Sequence, residues 1–340
     1  MSDKRSLEDY AREEELKRDL REAHLKLEKA KQKKADLVDA TMRAAREAVL
    51  TLDIPPVKPF KPDVRQQGTA QVAVCVLSDW QLAKLTTTYD SKVAARRVEE
   101  YAAKVARIIQ AQRTDHPVNE AFVFLLGDLV EGEQIFPGQS YLIDASLFNQ
   151  TLVTGPKILG GFLRQMLTVV PKVKVHGVIG NHGSIGGRAR KEYHPESNAD
   201  LMLYEFTRQL LEGQKGLTWG PLADGLTRRW SDVVEVAGQR CFLFHGDQVK
   251  GGFAGFPWYG FGKKLLGWSR KDHFRYAFSG HFHTPVRMYI NGITLWGSGS
   301  LESDNTYAEE ALAATSEPCQ LLLFMHPRLG ATAEYWIGLK

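Results

Sequence analysis

Residues 121–128 read Ala-Phe-Val-Phe-Leu-Leu-Gly-Asp. The same pattern, an apolar run followed closely by a polar residue, recurs several times along the chain. The six apolar residues are typical of a strand that is buried on both faces of a sheet. Gly127 permits a tight turn after the run, and Asp128 places a carboxylate directly behind that turn. Because open α/β sheets bind ligands at the carboxyl ends of their strands, this position predicts a functional role for Asp128.

Other apolar runs end on residue types that bind divalent metals. Runs 71–77, 173–179, 240–244 and 276–279 are followed by Asp79, Asn181, His245 and the pair His281 and His283. One histidine after a strand is more often a structural residue, but five endings of this kind in series argue against coincidence. Carboxylate, amide oxygen and imidazole suit Mn²⁺, Fe or Zn²⁺, whereas a soft-metal site would use cysteine. The pattern therefore predicts a metal site where these strand ends meet.

The fold class follows from how strands and helices alternate. Helical spacing over 91–113, 146–167 and 198–211 separates the first strands, and we expect the second helix to be broken or kinked near Gly155-Pro156. Short strand patterns then follow at 233–236, 286–290, 293–296, 321–325 and 335–337. Alternation first and a strand-rich region later predict a layered α/β domain over residues 69–340.

The N-terminal region has a different composition. Residues 1–53 are rich in charge and alanine, and their apolar residues fall on a narrow heptad seam: Leu16, Leu20, Ala23, Leu27, Ala30, Leu37 and Ala44. We expect a long helix that forms a coiled coil or docks on a partner protein through residues 6–52, the alternative being a solvated helix without a partner. Residues 54–68 hold four prolines, which predict an extended linker.

Composition excludes several classes of protein. The chain has 340 residues, 43% hydrophobic and 25% charged, which is ordinary for a globular protein, and a net charge of +4. No run reaches the roughly 18–20 apolar residues that cross a bilayer, and the charged first residues do not form a secretory signal. The three cysteines have no paired spacing, so we expect reduced, buried thiols and a cytoplasmic location.

The order of the motifs resembles the signature of the calcineurin-like metallophosphoesterases. In this chain the matching segments are Asp79-Trp80-Gln81, Gly127-Asp128-Leu129-Val130-Glu131, Gly180-Asn181-His182-Gly183, His245-Gly246-Asp247 and Gly280-His281-Phe282-His283. The family pattern is Asp-x-His, Gly-Asp-x-x-Glu/Asp, Gly-Asn-His-Glu/Asp, a later His, and Gly-His-x-His. The resemblance covers residues 71–300 and implies a four-layer sandwich of two mixed β-sheets flanked by helices.

The resemblance also implies roles for these residues. Two divalent metal ions would be bound, with Mn²⁺ favoured over Fe, Zn²⁺ or Mg²⁺. Asp128 would bridge them, one site being completed by Asp79, Gln81 and His283 and the other by Asn181, His245 and His281. His182 would be the catalytic histidine beside the scissile phosphate, protonating the leaving group or stabilising the developing charge. Glu131, Glu133 and Asp247 are interpreted as supporting groups.

Two positions depart from the family pattern. Gln81 stands where histidine is usual, so one metal gains a neutral oxygen donor or loses a ligand. Gly183 replaces the acidic residue after His182, which removes a group that could orient that histidine.

Residues 248–275 lie between two of the metal-binding motifs, so we expect them to rim the site. Cations that can meet phosphates and aromatic rings that can stack on bases alternate there, as single-stranded nucleic acid binding requires. With a second basic cluster, the candidate substrate-binding residues are Arg188, Arg190, Lys191, Lys250, Lys263, Lys264, Trp258 and Tyr259. The alternative is a packed glycine-rich lid with core aromatics and solvated lysines.

The Gly-Asn-His-Gly loop and the leading helical segment are also similar to phosphoesterases of bacteriophages, which are grouped with the nuclease subunit of double-strand-break repair complexes. This looser resemblance favours DNA or RNA phosphodiesters as substrate. Two other hypotheses stay open at this point. One is a hydrolase of small nucleotides, cyclic dinucleotides or phosphomonoesters, and the other is a weakly active scaffold that binds nucleic acid or a partner protein.

Overall fold

The computed structural model describes residues 17–22, 24–26, 28–29, 43, 68–186, 193–194, 196–222, 230–250, 256–304 and 317–340. The chain divides into two compact units, Met1–Ile54 and Pro55–Lys340. Among the described helices, none combines the length and the apolar character that crossing a bilayer demands.

In the first unit, residues 17–22, 24–26 and 28–29 are helical. Lys26 and Glu22 form an i,i+4 ion pair of 3.7 Å, and Leu20 is 62% exposed. The other heptad positions and linker residues 54–67 lie outside the described residues, so the coiled coil and the linker stay predictions.

The second unit contains eleven strands and four α-helices within the described residues. In chain order they are β1 (Gln71–Leu77), α1 (Ser91–Gln112), β2 (Val118–Leu125), a 3₁₀ turn (Gln139–Tyr141), a π-helical turn (Asn149–Thr154), α2 (Gly155–Val169), β3 (Lys172–Gly177), α3 (Ala199–Leu210), β4 (Leu217–Trp219), β5 (Ser231–Val236), β6 (Gln239–Phe244), α4 (Trp258–Asp272), β7 (Tyr276–Ser279), β8 (Val286–Ile290), β9 (Ile293–Gly297), β10 (Cys319–His326) and β11 (Gly330–Gly338).

The strands form two mixed sheets. The first has the order β11-β10-β1-β2-β3-β4, in which β1 to β4 are parallel and β10 and β11 are antiparallel additions at one edge. The second has the order β5-β6-β7-β9-β8, with β6, β7 and β9 parallel. The parallel strands within each sheet bring the ends of β1, β2 and β3, and of β6 and β7, to a common edge, as the sequence pattern predicts.

Alternate residues of each strand face different layers. In β1, Ala73 and Cys75 pack under α1 and α2, whereas Val74 and Val76 pack against the second sheet. On the far face of the second sheet, Phe244 and Leu295 contact a third core that includes residues of α4. The order is therefore helices, sheet, sheet, helix, which confirms the predicted fold class. Each fully buried large apolar side chain contributes about 1.5–3 kcal/mol to the free energy of folding. The strands whose ends carry the candidate ligands are therefore stabilised by the cores on both of their faces.

The sequence predicted most of these elements but missed α4 and β4. Near Gly155-Pro156, where the sequence predicts a break or kink, the helix changes type: the π-helical turn ends at Thr154, and α2 begins at Gly155 with proline in its first turn. Thr154 and Gly155 both keep right-handed helical φ and ψ angles. Asp90 caps α1, its side chain accepting a hydrogen bond from Val93 N at 2.7 Å.

Candidate metal centre

The first set of predicted ligands meets where β2, β3, β6 and β7 end. Asp128 Oδ2 lies 2.9 Å from His245 Nε2, and Asn181 Oδ1 lies 3.1 Å from the same nitrogen. His281 Nδ1 is 3.2 Å from His245 Nε2. The donor atoms of Asp128, His245 and His281 all fall within 4.8 Å of one another, which is close enough to share one cation.

The second set adjoins the first. His283 Nε2 lies 3.3 Å from Asp79 Oδ1 and 3.5 Å from Gln81 Nε2. Gln81 is 1% exposed, and its Oε1 is a buried oxygen without a hydrogen-bond partner among the described residues. The backbone N–H of His281 donates to both oxygens of Asp79, at 3.1 and 3.0 Å. A residue of the first set is therefore hydrogen-bonded directly to a residue of the second set. An orphaned carboxamide oxygen beside a carboxylate and an imidazole fits a divalent cation.

Most of the predicted ligands sit on strained backbone. Five of them have left-handed φ angles: Asp79 (51°), Gln81 (49°), Asp128 (53°), His281 (71°) and His283 (51°). A non-glycine residue in this conformation costs of order 1–3 kcal/mol and persists only where its surroundings hold it, most often at functional sites. The strained backbone therefore indicates that the fold holds these residues in place for a function.

In His245 and His283, a hydrogen bond at Nδ1 determines that Nε2 is the nitrogen directed at the other candidate ligands. His245 Nδ1 lies 2.7 Å from the carbonyl oxygen of Leu126, and His283 Nδ1 lies 2.6 Å from Glu302 Oε1. Because these oxygens accept, each Nδ1 carries a proton and each Nε2 faces its ligand set. Such outer hydrogen bonds are a general feature of histidines that bind metals.

The carboxylates in the cluster favour positive charge on two of the candidate histidine ligands. Burial opposes charge on His245, but Asp128 outweighs it and raises the pKa of His245 to about 10. Burial likewise opposes charge on His283, yet Glu302 and Asp79 raise its pKa to about 10. Burial and the neighbouring His245 lower the pKa of His281 to about 3. Protons thus balance the carboxylates in the metal-free chain, and cations would replace them.

His182 lies beside the first set. Its backbone N–H donates to Asp128 Oδ1 at 2.7 Å, and its ring Nδ1 lies 3.0 Å from the Glu131 carbonyl oxygen and 3.3 Å from the Glu131 carboxylate. The His182 side chain is 19% exposed, whereas Asp128 is 1% exposed. Burial opposes charge on the ring, but Glu131 and Asp128 raise its pKa to about 9. Glu131 therefore orients the His182 ring, since Gly183 has no side chain that could do so.

The other predicted supporting groups have local roles. The Glu133 carboxylate accepts a hydrogen bond from Leu147 N, ahead of the π-helical turn. Asp247 is 7% exposed and accepts a hydrogen bond from the Gln248 side chain.

Two buried acids near the ligands were not predicted. Glu302, 3% exposed, contacts His283 and the Lys84 ammonium. Asp200, which is fully buried, accepts hydrogen bonds from the Asp128 and Gly180 amides. Burial and the charge of Asp128 raise the pKa of Asp200 to about 6. The sequence signal of Asp200, an acid in the first turn of a helix, is the same as that of an ordinary helix start.

The predicted substrate-binding residues divide into three groups. Arg188, Arg190 and Lys191 lie outside the described residues. Lys250, Lys263 and Lys264 are exposed, and so are Trp258 (44%) and Tyr259 (84%). Of the other aromatics of this region that the structure describes, Phe256, Phe261 and Phe274 belong to the core and Trp268 packs against it, as the packed-lid alternative expected.

The first turn of α4 is close to the ligands. Phe256 and Phe261 each lie 5.5 Å from Phe282, measured between ring centroids. Phe282 separates His281 from His283 in the chain, and its ring is 4.8 Å from that of His281. The Trp258 ring lies 4.6 Å from that of Phe256, so a chain of ring contacts connects it to His281, and Tyr259 is the next residue of the helix.

Comparison with known proteins yields fold-level likenesses only. No protein-family model matches the chain, and no curated protein sequence matches it. A predicted phosphoesterase of Streptococcus pneumoniae has 13% identity and a TM-score of 0.33, covering 79% of this chain and 99% of its own. The Zn²⁺ complex of Vps29 from Entamoeba histolytica has 13% identity and a TM-score of 0.35 over the same shares. An archaeal phosphodiesterase has 10% identity and a TM-score of 0.34, covering 78% and 99%. The functional assignment therefore depends on the residues of this chain.

Proposed function

We propose that this chain is a metal-dependent phosphodiesterase that hydrolyses nucleic acid. The observation that carries the proposal is the position of Asp128. Its carboxylate lies 2.9 Å from His245, and the set around His245 adjoins the set of Asp79, Gln81 and His283. These residues follow the chain in the order of the calcineurin-like signature.

The donors favour a pair of divalent cations, with Mn²⁺ as the first candidate. Asp79, Gln81 and His283 would hold one ion, Asn181, His245 and His281 the other, and Asp128 both. Such a pair would activate water as a nucleophile and bind phosphate oxygens. The buried carboxylates and imidazoles keep this chemistry in a region that bulk water does not screen.

His182 is suited to act on the leaving group. Glu131 holds its Nδ1, so Nε2 is the nitrogen that remains to hydrogen-bond or protonate the departing oxygen. Its partial exposure, against the near-complete burial of Asp128, fits a group at the mouth of the site.

The surface next to the metal centre favours a polymer of nucleotides. Trp258 and Tyr259 offer exposed rings on which bases can stack, and Lys263 and Lys264 offer cations for the phosphates one turn further along α4. A phosphomonoester would use neither feature, which is why a phosphodiester polymer is preferred.

A Mn²⁺-supplemented activity screen of the purified protein tests this proposal. It compares a chromogenic phosphodiester, a chromogenic monoester, cyclic dinucleotides, and single- and double-stranded DNA, with Asp128→Ala as the inactive control. We expect cleavage of the diester and of single-stranded DNA by the wild type and none by the variant. Hydrolysis of the monoester or cyclic dinucleotides alone would contradict the nucleic acid assignment, and equal activity of the variant would contradict the metal centre.

A further inference from the structure

Asp200 binds the backbone of two separate loops. It lies in the first turn of α3 with a fully buried side chain. Its Oδ1 accepts a hydrogen bond from Leu129 N at 2.9 Å and a longer one from Val130 N at 3.4 Å. Its Oδ2 accepts from Asp128 N at 3.0 Å and Gly180 N at 2.9 Å. One carboxylate thus joins the loop after β2 to the loop after β3.

Both loops carry predicted metal ligands. The first contains Asp128, and the second contains Asn181 directly after Gly180. Asp128 has a left-handed φ of 53°, a conformation that needs external support. Because Oδ2 receives one amide from each loop, it fixes the spacing between the two ligand-bearing backbones.

Asn198 strengthens this link. As the N-cap of α3, its side chain accepts a hydrogen bond from Asp200 N at 2.8 Å. Its amide group also donates to the Gly180 carbonyl oxygen at 3.1 Å. The cap thus holds Asp200 in place and binds the second loop from the other side.

Gly183 leaves the space that the Asp200 carboxylate and the Asn198 side chain occupy. A Cβ at position 183 would lie 2.7 Å from Asn198 Oδ1, 2.9 Å from Asp200 N and 3.0 Å from Asp200 Oδ2. The Asp200 carboxylate therefore fills the space that a side chain at 183 would enter.

We propose that Asp200 is a positioning residue of the metal centre, whose carboxylate fixes the loop that carries Asp128 relative to the loop that carries Asn181. An ordinary acid at a helix start interacts with its own first turn. Asp200 instead bonds amides that lie 72 and 20 residues away in the chain, at Asp128 and Gly180. The inference rests on the proposed metal-dependent function, because the loops it positions are those that hold the ions.

The test compares Asp200→Asn with Glu205→Gln. Both variants change a carboxylate to an amide on α3, but Glu205 pairs with Arg208 on the helix surface. Calorimetric titration with Mn²⁺ and hydrogen exchange of ¹⁵N-labelled Leu129 and Gly180 amides in the metal-free protein are the readouts. For Asp200→Asn we expect Mn²⁺ affinity to fall about 10- to 100-fold and both amides to exchange faster. Glu205→Gln should match the wild type in both.

Each outcome decides between the claims. If wild-type protein binds no Mn²⁺, the proposed function fails, while the exchange rates still test the role of Asp200 in holding the loops. If Asp200→Asn keeps wild-type affinity and protection, the positioning role is wrong. Should that variant not fold, Gly183→Ala replaces it, since the new Cβ presses on Asn198 and Asp200 without deleting either. We then expect weaker Mn²⁺ binding and faster exchange, and wild-type values of both would overturn the inference.

Discussion

His283 Nδ1 lies 2.6 Å from Glu302 Oε1, so a buried carboxylate orients one of the predicted metal-binding imidazoles. Glu302 also contacts the Lys84 ammonium. Burial disfavours ionisation of Glu302, but His283 and Lys84 hold its pKa well below the usual range. Glu302 therefore places a carboxylate behind the imidazole of a predicted ligand set in which Gln81 would contribute only a neutral oxygen.

Replacing Glu302 should weaken this ligand set. In Glu302→Gln the imidazole loses its charged partner, so we expect Mn²⁺ affinity to fall about 10- to 100-fold for one of two ions. Calorimetric titration measures it, and Glu212→Gln, an exposed carboxylate, is the control. Equal affinity for both ions in the two variants would remove Glu302 from the metal centre.

His182→Ala should separate catalysis from metal binding. The ring contacts Glu131 and is not among the donors of either ligand set, so we expect unchanged Mn²⁺ affinity. The rate on a chromogenic diester should fall about 10²- to 10⁴-fold, because a general acid is lost. Steady-state kinetics at saturating Mn²⁺ measure kcat. A variant with the wild-type kcat would show that another group serves the leaving oxygen.

Metal loading should release protons. The pKa values of His245 and His283 are raised to about 10, so both are protonated in the metal-free chain at neutral pH. Ions that bind to them must displace these protons, and affinity should rise as pH increases toward that value. Calorimetry in buffers of different ionisation enthalpy counts the protons. Binding without proton release, and with no gain in affinity between pH 6 and pH 8, would contradict this protonation state.

Tyr259→Ala should weaken binding of single-stranded DNA. A stacked base contributes about 1–3 kcal/mol, so we expect KM for an oligonucleotide to rise roughly 5- to 150-fold. Turnover of a small chromogenic diester should not change. Tyr289→Ala is the matched control, since that tyrosine is 73% exposed and pairs with Thr294, at the end of β8 remote from the strand ends that bear the ligands. The same KM for DNA in both variants would show that the DNA does not bind along α4.

The strands, and the clustering of the candidate ligands where the strands end, could be predicted because both leave local signals. The apolar run of β1 stops at Ser78, and the next residue is Asp79, so the element and its functional end are adjacent in the chain. Helix α1 likewise shows its buried stripe in its own sequence.

What could not be predicted depends on distant contacts. Helix α4 carries three glycines, which lower helix propensity, and one of them, Gly262, packs closely against β8. A Cβ there would lie 2.9 Å from the Ile290 side chain of β8. The roles of Asp200 and Glu302 also exist only in the folded chain, since each binds a partner that no local pattern connects to it.

The most direct measurement is an anomalous-difference map from crystals soaked in Mn²⁺ and measured at the manganese edge. We predict two peaks that share Asp128. One should contact Asp79, Gln81 and His283, and the other Asn181, His245 and His281. A map without peaks at saturating Mn²⁺, or with peaks only elsewhere on the molecule, would contradict the assignment of these seven residues to a metal centre.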